Sequence, residues 1–166
     1  MMTTYPHNPE LDLVLDREID VPVERVWAAW TQPELMLQWF TPKPWKTVEV
    51  DNDLRPGGRA NVVMESPEGQ RFPNNGSYLE VIPNKRLTFT SVLLEDFRPA
   101  PKPENGAADL PFTVSIILED LGNGRTRYIA HARHATKEGN KAHADMGFIA
   151  GWGAALDQLV ALMKSK

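Results

Sequence analysis

Four residues late in the chain, His131, His134, His143 and Asp145, are of the types that hold metals or move protons. Their spacing argues against a shared metal. His131 and His134 are an odd number apart, so on a strand they point to opposite faces, and no interval here matches a zinc signature. No metal is expected. His143 and Asp145, two apart, cannot share a helix face, although either could meet the end of a strand carrying His134. Arg17 stands among leucines in LDLVLDREID. Its head could take an acidic group, or its stem could cover apolar surface while its head reaches water. Carboxylates are plentiful, among them Glu49, Asp51, Asp53, Glu65 and Glu80, but nothing in their spacing selects an acid–base pair. There is no nucleophile elbow, phosphate loop or dinucleotide fingerprint, and Pro56-Gly57-Gly58 reads as a turn. No cofactor is expected.

These side chains need elements to hold them. Leu11 to Asp20 alternates as a half-buried strand. Pro22 and Pro33 then open two short helices, PVERVWAAWT and PELMLQWF. Period-two stretches follow in WKTVEVDNDL, RANVVMES, SYLEVI, RLTFTSVLL, FTVSIILED and TRYIAHARH, the last two joined by a hairpin signal at Leu121 to Gly124. Glu95 to Asp109 is proline-rich and without period, a long loop of the kind that covers something. Lys141 to Lys164 reads as one long helix with a packing stripe of Ile149, Trp152, Leu156, Leu159 and Met163. The expected order is strand, two helices, six strands and a long helix. This is an α+β arrangement, with an antiparallel sheet of about seven strands. A polar, flexible tail over 1–10 and a single domain over 11–164 complete it.

Composition narrows the partners. The chain has 166 residues, a formal net charge of −4, 42% hydrophobic and 24% charged residues, which is the balance of a globular protein with no basic footprint for nucleic acid or anionic membrane. Without cysteine there are neither disulfides nor thiolate chemistry, as suits a reducing compartment. The segment MMTTYPHNPE has no signal-peptide core, and no window reaches the roughly 18 apolar residues of a membrane span. A cytoplasmic location is expected.

The order of elements, with REIDVPVERVWAAWTQPELMLQWF, DLRPGG at Asp53 to Gly58, GSYLEVIPNKRLTFT at Gly76 to Thr90, and HADMGFIAGWGAALDQL, resembles the START/Bet v 1-like (SRPBCC) helix-grip superfamily. Within it, Leu11 to Leu162 is similar to the Aha-type, polyketide-cyclase-like family related to the activator of the heat-shock-protein ATPase. The resemblance implies a curved sheet wrapped around the C-terminal helix, with a cavity between them. Three glycines in seven residues, Gly147, Gly151 and Gly153, opposite the short side chains Ala60, Ala130 and Ala132, serve either close packing or room for a ligand.

The ligand-binding residues expected on the sheet are Met64, Tyr78, Phe89, Ser91, Phe112, Tyr128 and Ala132. Those on the helix are Phe148, Gly151 and Trp152. Trp39, Phe40 and Trp45, which flank the turn TPKP, belong at the mouth, and Arg17 and His134 supply polar groups. The expected partner is a small apolar or amphipathic molecule, and a homodimer is left open. Two other readings stand beside this one: a cyclase or hydratase in which His134, Arg17 or Asp145 moves a proton in the same cavity, and a module that docks on a chaperone or sister subunit.

Overall fold

A computed structural model describes residues 5–102 and 110–166. The chain begins with strand β1 (Asp12–Ile19), whose alternation puts Leu15 and Ile19 in the core and Asp16 and Glu18 in water. Helices α1 (Val23–Thr31) and α2 (Pro33–Trp39) follow, with Pro22 at the N-cap of the first and Pro33 in the first turn of the second, where a missing N–H costs nothing. The next strands are β2 (Lys46–Asn52), β3 (Ala60–Glu65), β4 (Arg71–Asn74), β5 (Ser77–Ile82) and β6 (Arg86–Thr90). After them come the two-residue strands β7 (Leu93–Leu94) and β8 (Arg98–Pro99), and then β9 (Thr113–Gly122) and β10 (Arg125–Arg133).

The main sheet runs β1-β10-β9-β6-β5, antiparallel throughout, and β2-β3-β4 form a second sheet. The two meet where Tyr78 N–H donates to Gly58 O at 3.0 Å and Gly57 N–H donates to Tyr78 O at 2.7 Å. Gly58 has to be glycine at this crossing, since a Cβ there would collide with the Asp53 carbonyl. That is the physical content of DLRPGG.

Three local expectations are corrected. Arg71–Asn74 is a strand, although Pro73 hides its period; it sits at a sheet edge, where a missing N–H is tolerated. The run RLTFTSVLL ends as a strand at Thr90, and Leu93–Leu94 turns away to pair with Arg98–Pro99 inside the proline-rich loop. Residues 103–109 of that loop lie outside the described residues. The expected single C-terminal helix is two helices, α3 (Lys137–Asp145) and α4 (Phe148–Lys164), bent by 54°. Thr136 caps α3 by accepting from Gly139 N–H, which starts it earlier than the apolar stripe suggests. Gly147, at φ 90°, makes the break, because that backbone region favours glycine.

The break also takes Ile149 out of the packing stripe. It is 51% exposed, while Phe148, Leu156, Leu159 and Met163 are buried. Helix α4 packs against β1, α1 and α2. It therefore lies toward one side of the sheet and leaves open space over β5, β6 and β3.

On the outer face of the sheet, Tyr5 lies between the guanidinium groups of Arg86 and Arg133, 4.9 and 4.6 Å from its ring centre, and donates to Glu80 Oε1 at 2.8 Å. Among the described residues no single helix is long and apolar enough to cross a membrane.

Candidate ligand-binding site

Between α4 and the open part of the sheet is a cavity of about 970 Å³. Its sheet wall is built from alternate residues, Met64 of β3, Tyr78 of β5, Phe89 of β6 and Tyr128 of β10, with Ser91 and Phe112 beyond the strand ends. Phe148, Gly151 and Trp152, from the first two turns of α4, face them. Both described ends of the proline-rich loop, Ala100 to Lys102 and Leu110 to Pro111, reach the rim.

Trp30 organises the interior. Its ring meets Trp39 at 5.0 Å and Phe40 at 5.5 Å edge-on, Phe89 at 5.8 Å and Trp152 at 6.4 Å, and its Nε1–H donates to the Tyr128 hydroxyl at 3.1 Å. Such contacts fix ring orientation as well as burying area. The mouth is pinned by Gln158 of α4, whose amide donates to Trp39 O and Thr41 O at 2.9 Å each and accepts from Lys43 N–H at 3.0 Å.

The polar side chains on the wall are mostly uncharged: Asn52, Asn61, Asn74 and Asn75 line the side of β2 to β4, and Tyr78, Tyr128 and His143 the interior. Burial raises the phenols of Tyr78 and Tyr128 above their ordinary range, so both keep their protons. Each hydroxyl accepts one bond, Tyr78 from Asn52 Nδ2 at 3.4 Å and Tyr128 from Trp30. His143 of α3 is 8% exposed and lies 2.7 Å, Nδ1 to Nε2, from His134. Burial first, and then the ring of His134, pushes His143 down to about 4, so it is uncharged at neutral pH. Among the described residues no Asp or Glu lines the cavity, and Lys102 at the rim is the only one of them there that is charged.

Twelve of the fifteen residues expected at the site thus surround one space: those named on its two walls, with Trp39, Phe40 and Trp45 at the mouth. Arg17, Ala132 and His134 do not line it. Arg17 donates to Asp157 at 2.6 Å and to Gly153 O at 3.3 Å, tying β1 to α4 on the far side of that helix. Ala132 is fully enclosed in the core, so its small size there serves packing. His134 sits one ring behind the wall, with Nδ1 2.8 Å from Leu11 O. His131 faces the other side of the sheet, 2.8 Å from Asp12 Oδ2. Asp145 is exposed and pairs with Lys141 at 2.6 Å. Sequence reasoning left out His143, Trp30 and the asparagines Asn52, Asn61, Asn74 and Asn75 among other lining residues, and Gln158, which braces the mouth from outside the lining. The meeting of His143 with His134 was readable from their positions, but the place of the His143 ring on the cavity wall was not.

An antiparallel sheet curled around a C-terminal helix, with an aromatic cavity between them, defines a helix-grip protein of the START/Bet v 1-like kind. The chain belongs to the family described as Activator of Hsp90 ATPase homolog 1-like protein, whose family model matches residues 20–164. It is 45% identical to protein NE0264 from Nitrosomonas europaea, over 96% of this chain and 97% of that one, with a TM-score of 0.89. It is also similar to protein Ms6760 from Mycobacterium smegmatis, at 27% identity over 97% and 96% of the two chains, with a TM-score of 0.75. An AHSA1 protein from Silicibacter pomeroyi is 26% identical over 92% and 97%, with a TM-score of 0.66. No curated protein matches the chain.

Proposed function

We propose that the protein binds a small, mainly apolar molecule in the cavity between its sheet and α4. The observation that carries this reading is the combination of a volume of about 970 Å³ with a mainly aromatic and aliphatic wall on which the described residues place no carboxylate. Sites for small molecules are concave, mostly apolar and furnished with a few placed polar groups. The gap at Gly151 supports it further, because a Cβ built there would meet nothing within 4 Å. Tight helix-to-sheet packing would have put atoms at that point. The proton movers of a cyclase or hydratase reading, Arg17, His134 and Asp145, lie off the wall, which favours binding over catalysis by those three.

The test is titration with N-phenyl-1-naphthylamine, an uncharged apolar fluorophore. The wild-type protein is expected to take up one equivalent with enhanced, blue-shifted emission, and Gly151→Leu to lose most of that uptake while remaining folded. A wild type that leaves the probe's emission unchanged at micromolar protein would count against the reading.

A further inference from the structure

We propose that His143 is the polar anchor of the cavity, its Nε2 accepting a hydrogen bond from a hydroxyl on an otherwise apolar guest. This rests on the binding reading above and adds the chemical class of the molecule bound.

The direction of the bond follows from counting protons. The Leu11 carbonyl can only accept, so the 2.8 Å contact with His134 Nδ1 requires a proton on that nitrogen. His134 Nε2 then faces His143 Nδ1 at 2.7 Å, and one proton must lie between them. If it stayed on His134, that ring would be a cation in a pair that is 6% and 8% exposed, with no carboxylate of a described residue bonded to either ring. Placed on His143 Nδ1, it leaves both rings neutral and both in the Nδ1–H form.

The consequence falls on the other nitrogen of His143, which carries a lone pair. No described residue donates to it, and it is not among the enclosed atoms left without a partner. Since Nδ1 points back to His134, behind the wall, Nε2 belongs to the side of the ring that lines the cavity. Phe112 at 4.8 Å and Phe148 at 5.0 Å hold the ring between them. The acceptor is therefore oriented before anything binds, and a fixed acceptor held between two apolar rings discriminates in favour of a guest that can donate to it. The hydroxyls of Tyr78 and Tyr128 have the opposite character. Each already accepts a bond and has a proton for which the described residues provide no acceptor.

The experiment compares 2-naphthol with 2-methylnaphthalene, which differ by a hydroxyl in place of a methyl group, against the full chain at pH 7. Wild type is expected to bind 2-naphthol at least about fivefold more tightly, the range of one net hydrogen bond. In His143→Phe the preference should vanish while 2-methylnaphthalene still binds. Equal affinities in wild type would overturn this inference and leave the cavity reading intact. Binding of neither compound would remove both. A measurement on wild type alone guards against a variant that fails to fold: nitrogen-15 spectra of the imidazoles should show Nδ1–H on both His134 and His143, with the His143 Nε2 resonance moving as 2-naphthol is added. An Nε2–H on His143 in the free protein would overturn the proposal.

Discussion

Gly151 is a position where sequence and structure ask the same question, because a glycine in a helix costs about 1 kcal/mol relative to alanine and must be repaid by space or contact. Here it borders space. Gly151→Leu is therefore expected to raise the melting temperature slightly, by about 2–4 °C for roughly 1 kcal/mol of helix propensity, rather than lower it through overpacking. Thermal unfolding decides this, and a large drop would mean that α4 touches the sheet at that point. His143 gives a second expectation at this scale. Its folded value of about 4 lies below the ordinary 6.5, so the unfolded chain takes up a proton that the folded chain refuses. The contribution is present in full above pH 6.5 and is lost as pH falls from 6.5 toward 4, by on the order of 2 kcal/mol. Unfolding curves from pH 7 to 4.5 should show a steeper loss in wild type than in His143→Phe, the difference approaching one proton. Identical slopes would show that the ring titrates normally.

At the scale of elements, the division of the C-terminal helix depends on a single backbone conformation. Nothing lies within 4 Å of a Cβ at Gly147, so Gly147→Ala should cost only its left-handed strain, about 1–2 kcal/mol, visible as a lower midpoint in urea with an unchanged slope. Gln158→Leu is expected to cost about 1–3 kcal/mol, since it strips partners from the Trp39 and Thr41 carbonyls and the Lys43 amide. Its effect on probe binding should exceed its effect on the core, because those groups hold the mouth. The strands β1, β9 and β10 were legible in the sequence because their inner faces alternate: Leu15, Ile19, Val114, Ile116, Tyr128 and Ala130 are all buried where period two puts them. The helix break was not legible, because apolar periodicity runs through HADMGFIAGW and a positive φ at Gly147 leaves no mark on it. Gln158 was hidden for a related reason. A polar residue beside a helix's apolar stripe reads as solvated until the turn it clasps is known to pass overhead. Most of the cavity wall could be read from which residues face inward, whereas Arg17 and His134 were misplaced because facing inward does not say which neighbour fills the space in front.

For the molecule as a whole, α4 is the element that closes the fold. A chain ending at Asp145 would lose Phe148, Leu156, Leu159 and Met163, all buried; at about 1.5–3 kcal/mol each this is comparable to the total stability of a domain. Such a chain is expected to lack dispersed amide resonances, and a folded spectrum from it would show that the sheet stands without its helix. The aromatic lining described for the cavity has an optical consequence. Of the five tryptophans in the chain, Trp30, Trp39, Trp45 and Trp152 border that space. Four of the protein's five indoles thus border one volume, and two of them, Trp30 and Trp152, are stacked. Anything that displaces solvent from that volume alters the surroundings of most indoles at once, so the unlabelled protein reports its own occupancy in its fluorescence spectrum.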